Sequence, residues 1–381
     1  MKVSVLCFDL SSNAFGRAVL LAQALSGFCD VEIVGPSRKG DIWFPLRQTS
    51  FPVKSFEWKR YPFFVPVAQH ILREIDGDVI LASKLMPTSS GIGLLKKWAS
   101  DKPLILDVDD WELGFFYHSG FWGRVGRFLN LSNPNGLPYA WLMERLTGYA
   151  DAVTVSNRFL QNKFGGTLLP HCRDTSILDP ERFDSETIKE AWGLKGKKVL
   201  MFLGTPRPHK GIDDLRMALE KIGDPDAYLL IVGAEDPAMF SGEEWTAVQE
   251  RVRVFPKISF EKFPEYLAAA DILLVPQRQS TDSIGQMPAK LYDAMAMGKP
   301  IVATRVSDIE EVLGDCGYLV DPGEPAQLSD AIQYILDHPE EAQRRGREAR
   351  ERCKRLYDIT VMEVRLRELI DTVVSGQGGA V

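Results

Sequence analysis

Two positively charged residues follow an apolar run in the second half of the chain, and they could bind a phosphate group. Gly204 comes directly after the run 199–203, and Arg207 and Lys210 follow before a helical pattern begins near residue 213. A glycine lets a ligand approach the backbone, and a helix N-terminus supplies oriented amide groups and the positive end of the helix dipole. The pattern therefore predicts an anion site, most simply for phosphates. The alternative is an ordinary strand–helix turn with two solvated cations.

A second polar cluster lies further along the chain, where Pro288 suits the first turn of a helix. Lys290 and Asp293 are three positions apart, so they would share one face near the start of that helix. Lys290 could bind phosphate together with the helix amides, and the Asp293 carboxylate could bind sugar hydroxyls. Taken alone, such a pair is also typical of a weak ion pair on the surface. Its position after a predicted strand, like that of the first cluster, favours binding.

The first half of the chain offers acidic residues and one histidine at comparable positions. Asp109 and Asp110 follow the apolar run 104–108, and His118 is the nearest histidine. The acidic pair could cap a helix, or it could lie near the sugar of a donor or an acceptor, and both interpretations stay open. A lone histidine is more often structural than catalytic. Gly16 is expected at the start of the first helix, after the first strand.

These residues need a framework that positions them, and the hydrophobic pattern predicts one. Short β-branched runs alternate with longer segments of helical periodicity from one end of the chain to the other. This alternation indicates an α/β fold with parallel sheets covered by helices. Ligands of open parallel sheets bind beyond the carboxyl ends of the strands. Because all three clusters follow predicted strands, we expect them at such edges.

The chain is long enough for two domains. Its 381 residues compare with roughly 100–200 residues per domain. A segment rich in proline and charged residues, 170–198, separates the two halves. We therefore expect an N-terminal domain over residues 1–170 and a C-terminal domain over residues 171–357. A last helix near 358–374 is expected to pack back on the first domain.

Several of these motifs resemble the retaining glycosyltransferases of family 4, the group 1 glycosyl transferases. The resemblance is dense over residues 150–325 and thinner before them. The segment DAVTVS at 151–156, followed later by Leu169-Pro170, is similar to the end of the first domain in that family. The other motifs that carry it are Leu203-Gly204 with Lys210-Gly211, Ala270-Asp271 before a strand that ends at Pro276, and PAKLYDAMAMGKPIVAT at 288–304.

This resemblance implies the GT-B fold, in which two Rossmann-like domains with parallel sheets face a cleft. It also implies a nucleotide-diphosphate sugar as donor substrate, bound mainly by the C-terminal domain, and neither a metal ion nor a cofactor. Arg207 and Lys210 would then stabilise the leaving diphosphate. Asp293 would take the place of the family's second signature glutamate, which binds the nucleotide ribose, with a side chain one methylene shorter.

The sequence departs from the family at the first signature glutamate. Eight residues before Asp293 stands Gly285, which has no side chain. The donor sugar would therefore be held by other groups in this segment. The candidates are the backbone amides of Gly285, Gln286 and Met287 and the side chains of Asp282, Ser283 and Gln286.

Residues 38–73 could contact a membrane or an acceptor. They contain seven Lys or Arg residues against Asp41 and Glu57, and eight Trp, Phe and Tyr residues are interleaved with these charges. Basic and aromatic residues together suit an anionic membrane surface and a lipid-linked acceptor. The alternative is that the aromatic side chains pack inside the domain while the cations are solvated.

Composition and charge exclude several classes of protein. The chain has 45 Lys and Arg against 52 Asp and Glu, a formal net charge of −7, which argues against a nucleic-acid-binding protein. The five cysteines form no CxxC pair, so neither a disulfide framework nor a zinc site is expected. No apolar run approaches the length of a membrane span, and the N-terminal run is too short for a signal peptide. We expect a cytoplasmic protein, at the inner face of the membrane if residues 38–73 bind lipid.

The sequence thus predicts a metal-independent retaining glycosyltransferase that moves a sugar from a nucleotide-diphosphate donor to an acceptor hydroxyl. The acceptor could be a glycan, a glycolipid or a small molecule. Two alternatives stay open. A non-catalytic subunit that binds a nucleotide sugar would share the same clusters, and Gly285 favours it. A nucleotide-sugar epimerase of the same fold would act without an acceptor.

Overall fold

The computed structural model describes residues 1–117, 121–281 and 283–376 of the chain. Within this part, the chain forms two compact units. Unit 1 comprises Met1–Pro170, Ile284–Met287 and the C-terminal segment from Ile359, and unit 2 comprises His171–Ser283 and Pro288–Asp358. The chain therefore changes unit at residues 170–171 and 358–359, and the short segment Ile284–Met287 belongs to unit 1 although it interrupts unit 2 in the sequence.

Unit 1 contains a parallel sheet, as the strand–helix alternation predicts. Among the described residues, its seven strands are ordered β3-β2-β1-β4-β5-β6-β7. Strands β1, β4 and β5 are almost completely buried, which explains their continuous apolar sequences. The strands are β1 Lys2–Cys7, β2 Asp30–Ser37, β3 Val53–Glu57, β4 Val79–Ser83, β5 Leu104–Val108, β6 Ala152–Val155 and β7 Thr167–Leu168. The helices of this region are α1 Ala14–Leu25, α2 Phe64–Glu74, α3 Ile92–Ser100, α4 Glu112–Tyr117, α5 Phe121–Leu129, α6 Leu137–Arg145 and α7 Arg158–Phe164.

Unit 2 repeats this architecture with a second parallel sheet. Six strands of the described chain are ordered β10-β9-β8-β11-β12-β13. They are β8 Lys198–Leu203, β9 Ala227–Ala234, β10 Val252–Pro256, β11 Ile272–Val275, β12 Ile301–Thr304 and β13 Tyr318–Val320. The helices are α8 Ser185–Ala191, α9 Ile212–Lys221, α10 Phe263–Ala269, α11 Ala289–Ala296, α12 Ile309–Leu313, α13 Pro325–Asp337 and α14 Pro339–Leu356. The two parallel sheets confirm the predicted α/β fold class.

The last helix, α15 Ile359–Val374, belongs to unit 1 and packs on α1. The guanidinium of Arg367 lies 4.3 Å from the ring centroid of Phe28, just after α1. A Cβ atom at Gly27 would come within 2.4 Å of the Glu363 carboxylate, so the glycine permits this close approach. No helix of the described residues is long and apolar enough to cross a membrane.

A buried ion pair fixes the carboxyl edge of the sheet in unit 1. Arg17 on α1 donates to both carboxylate oxygens of Asp107 on β5, at 2.8 and 3.0 Å, and both side chains are buried. Thr154 on β6 donates to the same carboxylate at 2.9 Å, and Arg17 also donates to the carbonyl of Leu169 at 2.9 Å. Because the buried charges are paired and hydrogen-bonded, they join α1, β5, β6 and the end of unit 1.

Candidate functional site

The first predicted anion loop lies at the carboxyl end of β8 in unit 2. Gly204 has a φ of 122°, and a Cβ atom on it would meet no described atom within 4 Å. Arg207 is exposed, and Lys210 ends a short 3-10 turn directly before α9. The loop therefore presents an open backbone, two cations and the beginning of a helix together, as an anion site requires.

Gly211 brings this loop against the loop that follows β11. Its φ is 70°, and a Cβ atom there would lie only 1.8 Å from the carbonyl oxygen of Pro276. Arg278 extends the contact, because its amide donates to the carbonyl of His209 at 2.9 Å and its guanidinium donates twice to Asp214, at 2.6 and 2.8 Å. These contacts hold the two loops side by side at the edge of the sheet.

Lys290 is the most unusual cation of this edge. It lies in the first turn of α11, and its ammonium nitrogen is 3.5 Å from the ring centroid of Phe202 on β8. Burial lowers the pKa of Lys290 well below its ordinary value, and nearby Lys210 lowers it further. Burial and the charge of Lys210 thus both disfavour the protonated form of Lys290, and an anion beside Lys290 would favour that form again.

Asp293 binds a residue that the sequence analysis missed. Its buried carboxylate accepts a hydrogen bond from the guanidinium of Arg173, which also donates to the carbonyls of Cys172, at 2.7 Å, and Ala289, at 3.2 Å. Burial raises the pKa of Asp293, and Arg173 opposes that rise. Among the described residues Lys290 and Asp293 form no ion pair, so the surface-pair alternative does not describe them. Ribose binding by Asp293 stays a prediction.

The Ser283 side chain stabilises the loop after β11 through hydrogen bonds to its backbone. Its hydroxyl donates to the carbonyl of Arg278 at 2.7 Å and accepts from the amide of Ser280 at 2.8 Å, and the side chain is completely buried. Asp282 lies outside the described residues. A contact of Ser283 with a donor sugar stays a prediction.

Gly285, Gln286 and Met287 belong to unit 1, where they lie against the segment that follows β5. A Cβ atom on Gly285 would come within 2.4 Å of the Cβ atom of Trp111, and the Gly285 carbonyl accepts from the Trp111 amide at 3.2 Å. The Gln286 side chain donates to Asp110 at 3.2 Å, and Met287 is buried. Any side chain at position 285 would therefore press against Trp111, which accounts for the glycine in place of the glutamate that the resemblance implies.

The acidic residues after β5 surround a lysine that the sequence analysis also missed. Lys84 follows β4 with a φ of 71°, and its ammonium lies 2.8 Å from Asp109, 3.1 Å from Glu112 and in contact with Asp110. Burial raises the pKa of Asp109 to about 6 and that of Glu112 to about 7, although Lys84 opposes both shifts. The cluster is thus a shared ionic network at the carboxyl edge of unit 1, in which burial raises the pKa of Asp109 and Glu112 and Lys84 opposes that rise.

Two further residues that the sequence analysis singled out are Gly16 and His118. Gly16 is in the first turn of α1, where a Cβ atom would touch the ring of Trp43 at 3.4 Å. His118 lies outside the described residues. Among the described residues, no group of three or more His, Cys, Asp and Glu side chains has the arrangement of a metal site.

Comparisons with known proteins agree with this architecture. A solved structure described as Anabaena Alr3699/HepE in complex with UDP-glucose superimposes with a TM-score of 0.75 at 17% identity, covering 98% of this chain and 100% of that one. WaaG, a glycosyltransferase involved in lipopolysaccharide biosynthesis, gives a TM-score of 0.70 at 16% identity, covering 97% and 99%. The fold is therefore GT-B.

Sequence comparisons find similarity to known glycosyltransferases. Residues 197–338 match the sequence profile of the glycosyl transferases group 1. N-acetyl-alpha-D-glucosaminyl L-malate synthase of Bacillus anthracis is 30% identical over 44% of each chain. A GDP-mannose-dependent alpha-(1-6)-phosphatidylinositol monomannoside mannosyltransferase of Mycolicibacterium smegmatis is 26% identical over 65% of this chain and 71% of its own. The C-terminal part of the chain is thus similar to the group 1 glycosyltransferases, and the similarity spans less than half the length of most curated relatives that it matches.

Proposed function

We propose that this protein transfers a sugar from a nucleotide-diphosphate donor to the hydroxyl group of an acceptor, with retention of the anomeric configuration and without a metal ion. The observation that carries the proposal is the position of Lys290 at the carboxyl edge of unit 2, where burial and the nearby charge of Lys210 lower its pKa and an anion would restore its protonated form. Arg207, which is exposed, adds a third basic residue and lies in the same loop as Lys210. Three cations match the charge of a diphosphate, the leaving group of such a transfer.

The chemistry follows from the charge that develops in the reaction. When the bond between the anomeric carbon and the diphosphate oxygen breaks, negative charge grows on the leaving group. Arg207, Lys210 and Lys290 would stabilise that charge, which is the task a metal ion performs in other transferases. The acceptor oxygen forms its bond on the same face, and its proton passes to the departing phosphate oxygen. No residue of this chain has to form a covalent intermediate in this scheme.

The donor and acceptor are proposed by class only. The named relatives include enzymes whose names specify GDP-mannose, phosphatidylinositol monomannoside and L-malate, so both lipid-linked and small-molecule acceptors occur among them. For this chain we propose a glycan, glycolipid or small-molecule acceptor in the cytoplasm, and no nucleic acid partner. The buried contact of Gly285 with Trp111 leaves the amides of residues 285–287 and the Gln286 side chain as candidates for the donor sugar.

Nucleotide release tests the proposal. Donors that raise the thermal unfolding temperature would be incubated with and without candidate acceptors, and release of the nucleoside diphosphate would be measured. We expect acceptor-dependent release, reduced by a factor of about 10² to 10³ in Arg207→Ala or Lys210→Ala, as is typical when one charge-stabilising group is removed. Near-normal rates in both variants would refute the assigned roles. Tight donor binding without release would favour the non-catalytic subunit, and epimerised donor without acceptor would favour the epimerase.

A further inference from the structure

One region of unit 1 exposes an unusual number of large apolar side chains. Trp122 is 81% exposed, Leu129 is 70% exposed and Phe63 is 68% exposed. Together with their exposed neighbours they define what we name the α5 surface. Its further members are Val65 on α2, Phe128 on α5, Leu131 after it, and Trp141 and Leu142 on α6.

The segments that carry the α5 surface are joined to each other. The amide of Tyr61 donates to the carbonyl of Ser132 at 2.8 Å, and Arg60 donates to the Ser132 hydroxyl at 3.0 Å. The Tyr139 hydroxyl donates to the carbonyl of Leu131 at 2.7 Å, and the rings of Tyr61 and Tyr139 lie 5.3 Å apart. The residues before α2, those after α5 and the first part of α6 are therefore neighbours, joined by hydrogen bonds and a ring contact.

All charged residues in the two sequence segments that carry the α5 surface are positively charged. Residues 58–73 and 113–143 contain no Asp or Glu at all. Their cations with described side chains are Lys59, Arg60, Arg73 and Arg127. Lys59 pairs with Glu57 just outside the first segment, at 3.0 Å, and Arg127 lies over the ring of Phe116. Exposed apolar side chains thus stand among cations with no acid between them.

We propose that the α5 surface docks this protein onto an anionic phospholipid bilayer, with the apolar side chains in the interface and the cations against the lipid phosphates. Large exposed apolar patches mark interaction sites, and aromatic residues with arginines are what the bilayer interface selects. Each Lys or Arg near an anionic surface strengthens binding about fivefold, whereas an acid would weaken it.

The same charge pattern argues against a second copy as the occupant. A symmetric dimer would place this surface against itself, so its cations would face cations. Like charges brought together at an interface disfavour association. The absence of acids is therefore a feature that suits lipid phosphates and opposes self-association.

The α5 surface differs from the membrane contact that the composition of residues 38–73 suggests. Most aromatic side chains of that segment are already packed, for example Trp43 against Gly16, Phe56 against His70 at 5.0 Å, and Trp58 beneath Arg38 at 5.2 Å. Only its last part, from Lys59 to Val65, contributes to the α5 surface.

Co-sedimentation with vesicles tests the apolar part of the proposal. The full chain would be mixed with phosphatidylcholine vesicles, with and without phosphatidylglycerol, in the absence of any nucleotide sugar. We expect binding only when phosphatidylglycerol is present, and at least tenfold weaker binding for Trp122→Ser/Leu129→Ser. Trp98→Ser is the matched control, because Trp98 is 56% exposed elsewhere in unit 1, and it should bind as the unchanged protein does. Unchanged thermal unfolding would show that the variants fold.

The cations are tested by the same assay at low and high salt. We expect Arg60→Gln/Arg127→Gln to weaken binding by a factor of about 25 at low salt, since each cation contributes about fivefold. Arg347→Gln, which changes an exposed arginine in unit 2, should have no effect. High salt should abolish the difference.

Three results would overturn the proposal: no binding to anionic vesicles, equal binding by all variants, or a dimer in sedimentation velocity that Trp122→Ser/Leu129→Ser dissociates. The proposal rests on the surface alone. Because the assay contains no donor, its failure leaves the proposed transferase activity standing, and loss of that activity leaves vesicle binding unchanged.

Discussion

Lys290 is a buried amine whose pKa would change if an anion were bound beside it. Burial lowers its pKa well below the ordinary value, Lys210 lowers it further, and its ammonium lies over the ring of Phe202. A diphosphate bound beside it would raise the pKa again, so donor binding takes up a proton.

Donor affinity should therefore fall as pH rises. Between the lowered pKa of free Lys290 and its higher pKa in the complex, the dissociation constant should increase by up to about tenfold per pH unit. Calorimetric titration in buffers of different ionisation enthalpy would measure the proton uptake. Lys290→Arg should bind with little pH dependence, because arginine stays protonated, and Lys290→Met should bind weakly at every pH. A steep pH dependence retained in Lys290→Arg would contradict the assignment.

The pair formed by Arg173 and Asp293 predicts a stability effect. Asp293→Ala would leave a buried guanidinium without its carboxylate, which typically costs about 3–5 kcal/mol of the free energy of unfolding. Urea unfolding measures this loss, and Asp330→Ala, which changes an exposed acid in the same unit, should cost far less. A loss below about 1 kcal/mol in Asp293→Ala would show that the pair is not stabilising.

The sequence identified the residues that follow strands but not their partners. Arg207, Lys210, Lys290 and Asp293 could be found because each stands near the end of a strand that has a strong apolar signature. Arg173 and Lys84 could not, because a lone basic residue becomes informative only when folding brings it to a carboxylate far away in the chain.

At the scale of elements, the turn from β8 to α9 depends on one glycine. Gly211 has a positive φ, and its Cβ position is occupied by the carbonyl of Pro276. Gly211→Ala should lower the free energy of unfolding by at least about 2 kcal/mol, because the loops that follow β8 and β11 must separate. If these loops bind the donor as proposed, the same variant should also weaken donor binding. Gly223→Ala, at a site with nothing within 4 Å of a Cβ atom, should change stability by less than about 0.5 kcal/mol. Thermal unfolding compares the two variants, and equal losses would contradict this reasoning.

The contact between residues 285–287 and the segment after β5 predicts a coupling. Gly285→Ala should destabilise the protein, because its Cβ atom would lie 2.4 Å from that of Trp111. In Gly285→Ala/Trp111→Gly that clash is removed, so the double variant should be more stable than the sum of the single effects by about 1 kcal/mol or more. Additive losses in chemical unfolding would show that the two residues do not interact.

Strands and helices could be predicted where the local sequence has a clear hydrophobic pattern. Buried strands such as β1, β5, β8 and β11 are continuous apolar runs, and their order of alternation with helices predicts the parallel sheets. Strand β3 carries a weaker signal, because Val53–Glu57 mixes apolar with charged residues and lies at the edge of the sheet, beside β2. The association of Ile284–Met287 with unit 1 depends on packing against Trp111, which no local pattern encodes.

At the scale of the whole molecule, two parallel α/β units carry different chemistry at their carboxyl edges. Unit 2 carries cations, Arg207, Lys210 and Lys290, that suit a diphosphate. Unit 1 carries the Lys84 network of carboxylates and, elsewhere on its surface, exposed apolar residues among cations. The net charge of −7 does not indicate this difference between the two units, because it is a sum over the whole chain and contains no information on the positions of the cations.

Time-resolved proton NMR of the reaction tests the central claim most directly, because one spectrum follows the donor, the linked product and any epimerised donor. With an α-configured donor that stabilises the protein and a suitable acceptor hydroxyl, we predict an α-linked product that forms as nucleoside diphosphate is released. A β-linked product would contradict retention. Consumption of the donor without any linked sugar, or its epimerisation in the absence of an acceptor, would contradict the transferase itself.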